Sequence, residues 1–123
     1  MTPSILPLRL LAYARARVSG SAVVVCVALR DPAWWHVVRD AADAARVQAW
    51  FGAFRPTRVA RRELPGIATF HFVLEEAAGA GRGHDLAGDP AARGLAQRLL
   101  DMPVSVPSEM GARFNLPSPP PLP

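Results

Sequence analysis

The chain has 123 residues, half of them hydrophobic, which is enough for one domain with a core and excludes disorder throughout. Its net charge is +4, but the arginines are spread along the sequence, a pattern that does not favour nucleic-acid binding. No stretch approaches the ~20 apolar residues of a membrane-spanning helix. The single cysteine, Cys26, excludes an internal disulfide and is compatible with a cytoplasmic protein.

The first third of the chain predicts two strands. Residues 6–14 predict a strand whose side chains alternate between two faces, and residues 17–20 are typical of a turn. Residues 22–29 form a run that is apolar at nearly every position. Such a run indicates a central strand covered on both sides, by helices or by a partner. Within it, Cys26 is interpreted as a small buried hydrophobic residue.

Two helices and a hairpin follow. Asp31-Pro32 predicts a helix over 33–42, because Asp caps free amides and Pro suits the first helical position. Asp43 predicts the start of a second helix. Residues 57–64 and 67–74 then predict an antiparallel hairpin around Pro65-Gly66. In this hairpin the side chains of Arg61 and Arg62 would point to opposite faces of the sheet. His71 would lie on the face opposite to the one that carries Phe70, Phe72 and Leu74.

The last part of the chain predicts a loop, a helix and a tail. Residues 77–88 are rich in Gly and Ala, and Asp89-Pro90 predicts a helix over 91–102. From Pro103 onward, repeated prolines argue against regular helix or central strand. The chain therefore divides into a domain over 1–102 and an extended tail over 103–123. The order of elements predicts an α+β fold, with about four antiparallel strands and helices mainly on one face.

Trp34 and Trp35 are neighbours on the first predicted helix. Adjacent helical positions diverge by about 100°, so both rings cannot face the same core. One of them is therefore either an anchor for a partner interface or a partly covered residue at the rim of the core.

Several segments, in this order, resemble the ferredoxin-like C-terminal or small-subunit domain of the AtuA (acyclic terpene utilisation) family. Residues 8–15, Leu-Arg-Leu-Leu-Ala-Tyr-Ala-Arg, are similar to the opening strand of that domain, and residues 46–51, Arg-Val-Gln-Ala-Trp-Phe, to one of its helices. Residues 62–65 are similar to a turn, and residues 72–74 to a later strand. The resemblance implies a ferredoxin-like fold over most of the chain.

One loop departs from the family pattern. After the opening strand the family carries Ser-Gly-Asp-Lys-Gly-Asp, whereas residues 16–21 read Ala-Arg-Val-Ser-Gly-Ser and lack the lysine and both aspartates. The charge chemistry of that loop is therefore not retained unchanged. The remaining candidates for contacts with a substrate or another anion are Arg15, Arg17, Gly20 and Ser21.

The resemblance implies an accessory subunit that binds a larger AtuA-type chain, in a bacterial enzyme complex acting on acyl-CoA or similar acyl or terpenoid substrates. Two alternatives stay open. The first is a free-standing lyase, hydratase or isomerase that uses His71 with an arginine, since a neutral imidazole can act as a base near neutral pH. The second is a non-enzymatic binding module for an anionic partner.

No cofactor or metal is expected from the sequence. Phosphate-loop and dinucleotide motifs are missing, and neither a pair of histidines nor a histidine with Cys26 has metal-ligand spacing. The closest group, His84 with Asp85 and Asp89, is more typical of a solvated polar loop than of a site.

Overall fold

A computed structural model describes residues 3–52, 58–75 and 90–114. Its strands and α-helices are, in chain order, β1 (Ser4–Pro7), β2 (Ala12–Ser19), β3 (Ala22–Leu29), α1 (Trp35–Ala41), α2 (Ala44–Trp50), β4 (Arg58–Leu64), β5 (Thr69–Glu75), α3 (Pro90–Leu100), β6 (Pro103–Val106) and α4 (Ser108–Ala112). Short 3-10 turns cover Leu8–Leu10, Pro32–Trp34 and Pro65–Ile67.

The main sheet has four antiparallel strands in the order β2-β3-β5-β4, and β1 pairs with β6 in a separate two-stranded ribbon. This arrangement confirms the α+β, ferredoxin-like fold. The central strands β3 and β5 contribute alternate residues, such as Val25 and Phe72, to a core that also takes side chains from the helices. We call this side of the sheet the inner face and the opposite side the outer face.

The predicted first strand is interrupted. Residues 6–14 divide between β1 and β2, with the Leu8–Leu10 turn between them, and the amide of Leu8 donates a hydrogen bond to the carbonyl of Met102. The strand prediction was wrong here because Leu11 and Ala12 are both fully buried, which successive residues on one pleated strand rarely achieve with a single covered face. Alternation resumes in β2 and continues to Ser19, so the predicted turn at 17–20 moves to Gly20 and Ser21.

Both predicted helix starts are confirmed. A carboxylate oxygen of Asp31 accepts from the amide of Ala33 at 2.9 Å, and one of Asp43 accepts from the amide of Arg46 at 2.8 Å. The Asp31 cap opens the Pro32–Trp34 turn, which leads into α1, and the Asp43 cap opens α2. Together they place α1 and α2 between β3 and β4.

The β4–β5 hairpin also follows the prediction. Its strands pair from Arg58 opposite Glu75 to Leu64 opposite Thr69. Phe70, Phe72 and Leu74 are buried in the core, as the period-two pattern required. The Pro65–Ile67 turn forms the connection.

The C-terminal region differs from the predicted extended tail. Residues 103–106 form β6 and residues 108–112 form α4, and Val104, Val106 and Met110 are buried in the common core. Pro103 is the first residue of β6, and Pro107 follows its last residue. Both positions tolerate proline, because a missing amide donor costs little at the ends of a strand in a two-stranded ribbon. The loop predicted over 77–88, the cap at Asp89 and residues 115–123 lie outside the described residues.

Candidate functional site

The outer face of the main sheet carries a row of polar side chains across its centre. In the strand register, Arg15 of β2 lies opposite Cys26 of β3, Cys26 opposite His71 of β5, and His71 opposite Arg62 of β4. Residues paired directly across antiparallel strands project to the same side, with Cβ atoms about 5 Å apart. The four side chains therefore form one line over three strand pairs.

Three of these positions border a groove. Arg15, Arg17, Cys26 and His71, with Ala16, line a space of about 520 Å³. Arg15 and Arg17 are two residues apart on β2 and are both exposed, whereas Cys26 and His71 are half-buried on the central strands. The groove thus has two guanidinium groups on one side and a thiol and an imidazole in its floor.

The arginines of this face have no partner in the described part of the chain. Arg15, Arg17 and Arg62 make no hydrogen bond or ion pair with the side chains of residues 3–52, 58–75 or 94–114. Arg61, on the inner face, is held differently: its guanidinium donates to the carbonyls of Arg39 and Ala42. As predicted, Arg61 and Arg62 face opposite ways.

The structure groups some predicted site residues and separates others. His71, proposed as a base, and Arg15 and Arg17, proposed as anion contacts, line the same groove. Gly20 and Ser21 form the β2–β3 turn and do not line it, because β2 extends as a strand through the segment that the sequence indicated as a loop.

Cys26 is the groove residue that sequence reasoning missed. It was predicted to be buried but is half-exposed, and it faces the outer side with Val24 and Ala28. Since both faces of β3 are apolar, its own pattern does not tell which face the helices cover. The signal that could have found it lies in the neighbouring strands, which place Arg15 and His71 on the same side.

Trp34 and Trp35 lie away from this groove, and both are half-buried. Trp35 stacks on Phe70 of the inner face, with ring centroids 4.2 Å apart and planes 6° apart. Trp34 contacts Phe114, with centroids at 5.3 Å. Both rings therefore contact their own chain, and a role for either in a partner interface stays a prediction.

Neither a cluster of metal ligands nor a membrane-spanning helix occurs in the part of the chain that the structure describes. Within residues 3–52, 58–75 and 90–114, no group of three or more His, Cys, Asp or Glu side chains is arranged to hold a metal ion. The group formed by His84, Asp85 and Asp89 lies outside those ranges. In the same part of the chain, no helix has the length and apolar character needed to cross a membrane.

The chain matches a known protein family. A family model described as the AtuA ferredoxin-like domain matches residues 6–105, which includes the main sheet and most of the β1–β6 ribbon. No curated protein matches the chain, and no solved structure does.

Proposed function

Because the chain belongs to the AtuA ferredoxin-like domain family, we propose that it is an accessory subunit that binds a larger AtuA-type chain in an enzyme complex. The substrate of that complex is an acyl-CoA or a similar acyl or terpenoid compound. The observation that carries this proposal is the outer face, where Arg15, Arg17 and His71 line one groove.

The composition of the outer face suits contact with another chain. Beside His71, the outer face carries small or apolar side chains on the two middle strands, among them Val24, Ala28 and Val73, and arginines on the edge strands β2 and β4. An apolar centre with a charged rim is the usual anatomy of a protein interface. An anionic ligand held at the arginine edge would then lie between the two chains.

Co-expression with a larger AtuA-type chain tests the proposal. We expect the two chains to co-purify in a fixed ratio, and Val73→Glu to release the larger chain because it places a carboxylate among the apolar side chains of the contact. Arg113→Glu, an exposed change outside the groove, is the control and should leave the complex intact. A chain that is monomeric, folded and fully active alone would contradict the subunit role.

A second candidate function is catalysis within this chain, as a lyase, hydratase or isomerase. The observation in its favour is that His71 lines the same groove as two arginines, so a base and an anion contact stand side by side. If His71 moves a proton, His71→Ala should abolish turnover while the complex still assembles. Unchanged turnover in that variant would exclude His71 as a catalytic base and would favour a non-catalytic subunit.

The third possibility, a non-enzymatic binding module, predicts a different outcome. Its arginine-rich face would bind an anionic macromolecule with an affinity that falls steeply as salt is added. The accessory-subunit proposal predicts instead that the chain does not bind duplex or single-stranded nucleic acid at physiological salt. A nucleic-acid titration of the purified chain separates the two.

A further inference from the structure

We propose that the outer-face groove binds a phosphate-type dianion that carries an apolar chain. Arg15 and Arg17 supply the contacts to the phosphate, His71 adds a third, and the apolar chain lies over the sheet toward the end that carries Tyr13. This inference deepens the proposed function and rests on it for the biological role of the ligand, but it concerns a site formed by this chain alone.

The spacing of the two arginines favours phosphate over a single carboxylate. Alternate residues of a strand lie about 7 Å apart on one face, so Arg15 and Arg17 approach the groove side by side. Each guanidinium offers a planar pair of donors that matches two oxygen atoms. A terminal phosphate has three oxygens and two charges and can engage both arginines, whereas one carboxylate satisfies only one such fork.

His71 faces the same groove from β5, two strands away from the arginines. Adjacent strands are about 4.8 Å apart, so the imidazole stands roughly 10 Å across the sheet from the β2 backbone. Extended arginine side chains reach over that distance. An anion in the groove can thus be contacted from β2 by guanidinium groups and from β5 by a ring N–H.

The direction of the apolar chain follows from the two ends of the outer face. The end row nearest the β2–β3 turn contains Glu75 and Arg58, which are paired in register. The opposite end row contains the uncharged residues Tyr13, Ala28, Thr69 and Leu64, and the nearby charge is the guanidinium of Arg30 over the Tyr13 ring. An apolar chain attached to the phosphate is therefore better placed toward Tyr13 than toward a carboxylate.

Tyr13 lies beyond the groove, two residues before Arg15 on the same face of β2, and its ring is held in place. Its side chain is 58% exposed, yet the guanidinium of Arg30 lies 3.9 Å from the centre of its ring. Arg30 is itself held by a hydrogen bond from its Nε to the carbonyl of Arg9. The exposed ring is therefore positioned by the fold and offers apolar contact area to a ligand.

Cys26 provides a direct readout of this site, because it is the only cysteine of the chain and its side chain borders the groove. Iodoacetamide, an uncharged reagent, alkylates it at a rate that the arginines do not steer electrostatically. Hexyl phosphate is the probe, and hexanoate, hexanol and inorganic phosphate are the comparisons. At ten times its Kd, a ligand that blocks the thiol should slow alkylation by roughly tenfold.

We expect hexyl phosphate to protect Cys26 more strongly than any of the three comparison compounds. In Arg15→Gln and Arg17→Gln its Kd should rise by about ten- to a hundredfold, since each variant loses charge-assisted hydrogen bonds but keeps a shorter polar side chain. In the control variant Arg113→Gln, hexyl phosphate should protect Cys26 as strongly as it does in the unchanged chain. Calorimetric titration of the same variants checks that the Kd values do not depend on the thiol reaction.

Three results would overturn the inference: no protection by hexyl phosphate, equal protection by hexanoate, or a Kd that is unchanged in both arginine variants. The experiment uses the full chain without a partner. Protection without co-purification of a larger chain would therefore sink only the subunit role, and co-purification without protection would sink only the phosphate site.

Discussion

At the scale of single residues, the adjacent Arg61 and Arg62 of β4 have opposite environments. The Arg61 side chain is only 16% exposed, donates to the carbonyls of Arg39 and Ala42 at the end of α1, and lies 5.3 Å from the centre of the Phe70 ring. It satisfies carbonyl groups that a helix end leaves without intrahelical partners. Arg62 is exposed on the outer face.

Arg61→Ala should therefore lower the free energy of unfolding by about 1–3 kcal/mol, because two carbonyls lose a charged donor and the Phe70 ring loses its cation contact. Arg62→Ala removes the same side chain one residue away and should change stability by less than about 0.5 kcal/mol. Urea unfolding of the two variants measures the difference. Equal losses would show that Arg61 does not stabilise the end of α1.

Residue-level prediction from the sequence succeeded where one face of a strand differs from the other. The pattern of β5 placed Phe70 and His71 on opposite sides, and the structure agrees. It failed at Cys26, because β3 is apolar on both faces and period-two alternation carries no information there. The local β2–β3 hairpin brings Arg15 beside Cys26, whereas His71 arrives there through pairing with β5, which is distant in sequence and is not encoded directly in the residue pattern.

At the scale of elements, the β2–β3 hairpin depends on Gly20. Gly20 has a φ of +62°, while Ser21 has no positive φ, which matches a two-residue turn with glycine at its first central position. A Cβ added at Gly20 would meet no atom within 4 Å, so space is not the constraint. The constraint is the backbone conformation, because L-residues with side chains adopt a positive φ only at a cost in free energy.

Gly20→Ala should accordingly reduce the free energy of unfolding by about 1–2 kcal/mol. The matched control is Gly66→Ala in the other hairpin connection, where φ is not positive and the new methyl group also meets no atom within 4 Å. That change should be neutral or slightly stabilising, since it restricts the unfolded chain. Thermal or urea unfolding gives both values, and a neutral Gly20→Ala would rule out the turn as described.

The order of elements could be predicted better than their boundaries. Asp-Pro and Pro-Gly signals act locally, so helix starts and the second hairpin appeared near their expected places. The break between β1 and β2 could not be predicted, since it depends on the distant hydrogen bond from Leu8 to Met102. The same applies to β6, which contains an N-terminal proline and is formed only through its pairing with β1.

At the scale of the whole molecule, the two sheets share one core. Leu6 of β1, Val104 and Val106 of β6, and Met110 of α4 belong to the same buried cluster as the inner face of the main sheet. Residues beyond the predicted domain boundary at 102 therefore contribute to the core that holds the first strand in place. This predicts that the ribbon and the main sheet unfold together.

Two spectroscopic probes test that cooperativity. Trp34 contacts Phe114, just after α4, and Trp35 stacks on Phe70 in the main sheet, so tryptophan fluorescence reports both regions. Fluorescence and far-ultraviolet circular dichroism should give coincident urea transitions. Val106→Ala should shift both to lower urea together, with a loss of about 1–3 kcal/mol from the cavity it leaves.

Ser105→Ala is the matched control on the same strand, because Ser105 is exposed between two buried valines. It should leave both transitions within about 0.5 kcal/mol of the unchanged chain. A fluorescence transition that precedes the circular dichroism transition would mean that the ribbon detaches before the main sheet unfolds. In that case the C-terminal segment would be an appended element, as its prolines first indicated, and not part of a single cooperative core.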